Sequence, residues 1–290
     1  MASAARQTPE NNIVIEKQEQ LFDSLRKLDS LLVALSGGAD SAYLAWAAHQ
    51  TLGALGARAL SITALSPSFS RHDREQTEQF VRMSGVRHEF IETREFENPL
   101  YVANNADRCY HCKDELFDRM EEFARGRNFS GIAYGINADD TRDFRPGHRA
   151  AHEHRVLAPL LDARLRKDEI RLLSRLAGLP TWDRPASACL SSRVPYGTAV
   201  TPELLDKIDH AEAVLRELDF RQFRVRVHGE LARIEIAPDE LSRGFETEIA
   251  KTISSRLRAL GFAFVTIDLE GYRQGSLNTL LKDNKHIEKQ

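Results

Sequence analysis

The chain has almost no cysteine: three in 290 residues, Cys109, Cys112 and Cys189. Three thiols cannot all pair with one another, which excludes a disulfide-stapled scaffold and leaves each as a free thiol, a metal ligand or a reactive group. Long apolar runs are missing too. None approaches the ~20 residues that span a bilayer, and Met1 to Glu10 lacks the apolar core of a signal peptide. A cytoplasmic protein without a membrane partner is expected. The formal net charge is only −3, so bulk electrostatics offer no argument for a nucleic-acid partner or an anionic surface. Internal repeats and low-complexity tracts are absent. What is present is a hydrophobic content of 42%, ample for a core, in a length suited to one large or two modest domains.

The chain is organised around Ser36-Gly37-Gly38-Ala39-Asp40-Ser41. An apolar run, Leu31 to Leu35, precedes it with the length of a buried parallel strand. Ala42 to His49 follows, rich in helix formers. Strand, glycine turn and helix aim backbone N–H groups and a helix N-terminus at an anion. Gly37 and Gly38 let the backbone approach phosphate oxygens, and Ser36 and Ser41 add hydroxyl donors. Asp40 offers carboxylate oxygen to a magnesium ion bridging phosphates. The turn lacks both the Gly-Lys-Ser/Thr ending of a Walker A loop and the Gly-x-Gly-x-x-Gly of dinucleotide folds. It resembles the PP-loop of the ATP pyrophosphatases, which implies cleavage of ATP between its α and β phosphates to adenylate a carbonyl or carboxyl oxygen. An ordinary strand-to-helix turn of small residues is the alternative.

Read in order, residues 1–12 look like a disordered start, and Ile13 to Leu28 has the spacing of an amphipathic helix. Strands are expected at Ala57–Leu65, Arg87–Thr93 and Gly131–Tyr134, with helices over Arg71–Ser84 and Lys113–Arg125 between them. This alternation predicts βαβ units in a parallel sheet. Thr141 to His154, with Arg142, Arg145, His148, His152 and His154, reads as a site loop or else a solvated surface loop. Val156 to Leu160 is a last extended piece, and Lys167 to Ala177 a helix closed by Gly178. The expected fold class is α/β, and the resemblance implies a parallel-sheet PP-loop domain, adenine nucleotide alpha hydrolase-like, over 13–185. A linker at 186–200 carries Cys189, a small α+β domain covers 201–275, and a tail runs over 276–290. Within the small domain a helix starts at Thr201-Pro202, with Glu212 near its flank. Phe223–His228 and Leu231–Ile236 form a hairpin about Gly229-Glu230. Counting back from the turn pairs Arg226 with Arg233 and Arg224 with Glu235, all on one face. A helix over Asp239–Leu260 and a strand over Phe262–Leu269 complete an α-β-β-α-β unit.

Three more motifs carry chemistry. Cys109-Tyr110-His111-Cys112 is a Cys-x-x-Cys opening a helix, and Gly135-Ile136-Asn137-Ala138-Asp139-Asp140 follows a strand. Ala188-Cys189-Leu190-Ser191-Ser192-Arg193 precedes Pro195-Tyr196-Gly197. Together with the loop they resemble the LarE-type ATP-dependent sulfur transferases, which mature the nickel-pincer nucleotide cofactor of lactate racemase. The likeness covers about residues 13–270. Ile136 departs from the family's usual Thr. The resemblance implies a pyridinium mononucleotide substrate with two carboxylates. ATP adenylates a carboxylate, and sulfur then displaces AMP to leave a thiocarboxylate. It implies nucleotide contacts at Ser36, Gly37, Gly38, Asp40, Ser41, Gly135 and Asn137. It also implies a substrate-phosphate site at Arg224 and Arg226, with Glu235 and Glu212 as acidic neighbours, although Arg alternating with Val suits any half-exposed strand. Members with a lone cysteine at the position of Cys189 sacrifice its sulfur. In those with three, Cys109, Cys112 and Cys189 resemble ligands of a [4Fe-4S] cluster with one open iron. A Cys₃His zinc site is the third possibility. The resemblance further implies a homo-oligomer and other cofactor-maturation proteins as partners. Rival readings are a PP-loop tRNA thiolase, disfavoured by the lack of a basic stripe, an amidating synthetase, and a nucleotide-binding regulator without turnover.

Overall fold

The computed structural model describes residues 9–54, 58–142, 146–185, 187–273 and 275–278. In chain order its elements are α1 (Pro9–Arg26), β1 (Ser30–Ala34), α2 (Ala39–Ala54), β2 (Arg58–Leu65), α3 (Arg71–Ser84) and β3 (His88–Glu92). Next come α4 (Pro99–Val102), α5 (Arg108–Arg127), β4 (Gly131–Tyr134), α6 (Pro146–Glu153), α7 (Pro159–Asp162) and α8 (Lys167–Leu176). The last are α9 (Pro202–Glu217), β5 (Phe223–His228), β6 (Leu231–Ile236), α10 (Leu241–Gly244), α11 (Thr247–Ala259) and β7 (Phe264–Ile267). Two compact units interleave along the chain. The first takes residues up to Leu65, Asp73–Thr93 and Cys112–Ser187; the second takes Ser66–His72, Arg94–His111 and everything from Ala188 on.

In the first unit the described strands form a parallel sheet in the order β3-β2-β1-β4. Every residue of β1 is buried, as expected of a strand covered on both faces. Leu21 and Leu25 of α1 and Tyr43, Leu44 and Leu52 of α2 pack with Leu31 and Val33 in one core. Helix α2 is apolar nearly all round because it too is covered on most sides. The buried Tyr43 hydroxyl is not orphaned: Gln18 Nε2 donates to it at 2.7 Å. Leu157 makes a single parallel bridge to Ala133 before α7 begins, so the extended piece expected there stops at one bridge. Pro159 opens that helix and ends the extended run.

The second unit is the α-β-β-α-β arrangement. Thr201 caps α9 by accepting from Leu204 N at 3.2 Å, with Pro202 in the first turn. The hairpin has the anticipated register, Arg224 opposite Glu235 and Arg226 opposite Arg233, and β7 joins β6 in parallel. Val225, Val227, Ile234 and Ile236 form the apolar side, with Leu205, Ile208 and Leu257 also in the core.

Several expectations need correction. Helix α1 begins at Pro9, so residues 9–12 are helical. Helix α5 begins at Arg108 rather than at Lys113, with Cys109 and Cys112 in its first turns, as a Cys-x-x-Cys opening a helix requires. The run Asp239–Leu260 breaks into α10 and α11 because Glu246 is extended (φ −61°, ψ 130°). Segment 188–200 is no open linker: Leu190, Ser191, Arg193, Val194 and Val200 are buried, and Leu190 N donates to Ser68 O at 2.9 Å. The stretches after β2 and β3 belong to the second unit through contacts such as Val200 N to Val102 O. Arg145 and residues 279–290 of the tail lie outside the described residues, as does the side chain of Arg142.

Candidate active site

In the first unit, β1 ends just before Leu35, and α2 starts at Ala39. Between them Gly37 takes φ +78°, and a Cβ there would stand 2.7 Å from Thr77 Oγ1. Within the protein the demand for glycine falls on Gly37, since a Cβ on Gly38 would meet only Ser36 Oγ at 3.7 Å. Ser41 is buried and laces the loop to itself. Its hydroxyl accepts from Ser36 N at 3.1 Å, donates to Gly38 O at 3.1 Å and lies 3.0 Å from Ser36 Oγ. The hydroxyl that the sequence offered to phosphate therefore shapes the turn, while Ser36 remains exposed. The first N–H groups of α2 have no intrahelical acceptor and carry the positive end of its dipole.

The exit of β4 closes on this loop. A Cβ on Gly135 would lie 2.7 Å from Ser41 N and 2.8 Å from Ser41 Cα, so only glycine lets the two backbones meet. Two residues on, the buried Asn137 donates its Nδ2 to Asp40 Oδ2 at 3.0 Å and accepts from Asp139 N at 2.9 Å. Asp140 is buried, and Lys167 Nζ stands 2.9 Å from its Oδ1. Burial, then the charge of Asp140, push the Asp40 carboxyl up to about 6, against the Asn137 bond and the cations Lys167 and Arg171. Asn137 joins the two carboxylates, its Nδ2 on Asp40 and its backbone N donating to Asp140 Oδ2 at 3.4 Å, and carboxylate oxygens are the ligands a hard divalent cation such as magnesium takes. The sequence reading named Asp40 but did not single out Asp140 or Lys167. Their signal was the pair of consecutive aspartates after the β4 strand.

In the second unit Cys109 and Cys189 are exposed, and one buried arginine serves both. Arg108 Nη2 lies 3.8 Å from Cys109 Sγ, and Nη1 donates to Ser191 O at 2.8 Å and Asn104 Oδ1 at 2.5 Å. Burial opposes its charge, yet Cys189 and Cys109 outweigh burial and hold its pKa above the ordinary value. Three arginines grip four carbonyls of the Cys189 segment. Arg193 Nη1 donates to Ala188 O and, at 2.9 Å, to Cys189 O; Arg108 holds Ser191 O; Arg226 Nη1 reaches Ser192 O at 2.8 Å. No local pattern announced this. Cys112, half-buried, follows Cys109 by three positions on α5, a spacing that shares one helix face.

Glu212, Arg226 and Glu235 turn inward, which corrects the placing of Glu212 near the helix flank and goes against the alternative of an ordinary half-exposed strand. Glu212 is buried, taking Arg193 Nε and Nη2 at 2.8 and 2.9 Å and Val225 N at 3.1 Å. Burial would raise its pKa, but the guanidinium of Arg193 wins and lowers it. Arg226, 5% exposed, donates Nε and Nη2 to Glu235 Oε2 at 3.1 and 2.9 Å, and Glu235 is fully buried. Ser276 Oγ and Arg233 complete Glu235 at 2.7 and 3.1 Å. Arg224 bonds Phe223 O at 2.6 Å and lies over the Tyr272 ring.

The anticipated site loop at 141–154 contains α6, and its last histidine has a structural partner set. The two ring nitrogens of His154 face Glu121 at 2.9 Å and Asp114 at 3.0 Å on α5. Burial disfavours its charge, but these carboxylates raise its pKa. His154, Asp118 and Glu121 could bring three ligand atoms together, but both imidazole nitrogens are already engaged.

A glycine loop at the end of a parallel strand, with a small C-terminal α+β unit, defines a PP-loop type α/β protein. No family model matches the chain. It is 41% identical over 265 residues to an uncharacterized protein of Synechocystis sp., covering 91% of this chain and 98% of the relative. It is 31% identical over 266 residues to the pyridinium-3,5-bisthiocarboxylic acid mononucleotide synthase of Lactiplantibacillus plantarum, covering 91% and 95%. An uncharacterized protein of Methanocaldococcus jannaschii is 31% identical over 172 residues, 59% of this chain and 66% of its own. The chain belongs to the family of that synthase, the LarE-type enzymes. Among the described residues no helix is long and apolar enough to cross a membrane.

Proposed function

We propose that this enzyme is an ATP-dependent sulfur transferase that converts a carboxylate of a pyridinium biscarboxylate mononucleotide into a thiocarboxylate, in biosynthesis of the nickel-pincer nucleotide cofactor. The observation that carries the reading is the Asp40–Asp140 pair beside the N-terminus of α2. Such a site takes a polyphosphate on its N–H groups and a magnesium ion on its carboxylates. The bisthiocarboxylic product in the name of the Lactiplantibacillus relative supports the choice of substrate. A carboxylate oxygen is a poor leaving group. Its attack on the α-phosphorus of ATP expels pyrophosphate and turns that oxygen into part of AMP, which a sulfur nucleophile then displaces. In the second unit Arg224 and Arg226 would recognise the phosphate of the substrate through their positive charge. Arg226 would do so while anchored on Glu235.

The sulfur chemistry falls to the three thiols. Cys109, Cys112 and Cys189 fit a [4Fe-4S] cluster by their chemistry: thiolate donors, two of them one helical turn apart, and no cysteine used elsewhere. When bound, such a cluster supplies an iron open to exogenous sulfide. The residues' own part is to keep Cys189 exposed and its segment pinned by Arg193, Arg108 and Arg226. The test is intact-mass measurement after anaerobic reaction with ATP, substrate and sulfide. Multiple turnovers with Cys189 intact, and loss of iron in each Cys→Ala variant, are expected. Stoichiometric loss of hydrogen sulfide from Cys189 in iron-replete protein would overturn the cluster reading in favour of a sacrificial Cys189. Pyrophosphate release unaffected by Asp40→Ala would overturn the ATP site.

A further inference from the structure

Arg184 lies between α8 and Cys189, and its side chain is only 10% exposed. One terminal nitrogen donates to the carbonyl of Gly37 at 2.5 Å and the other to Asp73 Oδ1 at 2.6 Å. Asp73, in the first turn of α3, also accepts from Ser187 Oγ at 3.0 and 3.2 Å. Arg171 of α8 holds the segment in turn, donating to Trp182 O at 2.9 Å and Arg184 O at 2.6 Å. A buried cation with this many anchors, directed at one backbone oxygen of the glycine loop, needs a reason.

Peptide geometry supplies one. The carbonyl of Gly37 and the N–H of Gly38 belong to one planar trans unit and point in opposite directions. Gly37 sits at φ +78°, and a glycine is the residue freest to rotate that unit. Rotated, it would present an oxygen instead of an N–H to an incoming anion. A left-handed residue just before a helix is also the pattern in which successive N–H groups converge on anions. We propose that Arg184 is a positioning residue that grips the Gly37 carbonyl and so locks the Gly38 N–H in its phosphate-binding direction. Asp73 and Ser187 hold the guanidinium in place, and Asp73 offsets its charge, so the arginine orients the loop without competing as a phosphate ligand.

The inference rests on the proposed ATP site, and the test separates the two. Affinities for magnesium-ATP and for adenosine, which has no phosphate, are measured on the full chain. Arg184→Gln should weaken ATP by roughly tenfold or more, the loss of one aimed donor to a charged group, while adenosine binds as before. Arg184→Lys, which keeps the charge and one donor, should recover part of the loss. A merely structural arginine would lower both affinities together, and that result overturns the proposal, as does an unchanged ATP-to-adenosine ratio. Should the Gln variant fail to fold, the same ratio in Arg184→Lys and in Asp73→Asn decides. Wild-type protein that binds no ATP removes the ATP site itself, and the proposal with it.

Discussion

Replacing Asp40 by asparagine should make the metal-free protein both more stable and inactive. The carboxyl has an ordinary value of 3.8 and is pushed up to about 6 by burial and by Asp140. In the unfolded chain it ionises near 3.8, so between these values the unfolded state releases a proton that the native state retains. The raised value thus contributes stability that is fully present below pH 3.8 and lost as pH rises through 6. Two pH units correspond to about 3 kcal/mol, an upper figure because the group is half-buried. An asparagine in its place would not titrate, and the new amide oxygen can still accept from Asn137 Nδ2, which lies 3.0 Å from Asp40 Oδ2. Melting in EDTA from pH 4 to 8 reads the difference. The variant and wild type should coincide near pH 4, and the variant should lead by several degrees at pH 8. Pyrophosphate release should disappear, since magnesium loses a carboxylate ligand. Parallel melting curves across this range, or a less stable variant at pH 8, would refute the electrostatic account of the Asp40–Asp140 pair.

Other outcomes follow from the same geometry. Gly135→Ala must force apart backbones that leave its Cβ 2.7 Å from Ser41 N; a loss of about 1–3 kcal/mol in urea unfolding, with weaker ATP binding, is expected, and a silent substitution would mean that the contact is not tight. Arg226→Ala strands Glu235 in the interior, and breaking such a buried pair costs about 3–5 kcal/mol. Arg226→Lys is therefore the sharper probe: substrate affinity should fall roughly ten- to a hundredfold with ATP affinity intact, and an effect on ATP instead would assign the hairpin to the nucleotide. Glu212→Gln should act on folding stability through Arg193, readable as a lower melting midpoint. An unchanged midpoint would show that the buried pair contributes nothing.

Much of the architecture was legible in the residues, because it depends on local rules. The apolar run Leu31–Leu35, the glycine turn after it and the alternation of strands with helical stretches carry the parallel sheet. The Gly229-Glu230 turn sets the hairpin register residue by residue, since side chains alternate with a period of two. Thr201-Pro202 marked the start of α9 through its cap. Where local signals are weak the reading slipped: at the extended Glu246 within a helical run, and at α6 within a stretch read as loop.

Tertiary structure alone decided where charges and loops end up. Period-two alternation puts Arg226 and Glu235 on one face but cannot say whether that face meets water or, as found, the interior. Composition shifts suggest a contiguous boundary near 186–200, yet Ser66–His72 and Arg94–His111 join the second unit through contacts distant in sequence. The grip of Arg108 and Arg226 on the Cys189 segment, and of Arg184 on Gly37, joins residues that no fixed spacing relates. A long, flexible cationic side chain can reach any carbonyl that the fold brings near. The sequence determines that the arginine is there; only the packed chain determines what it holds.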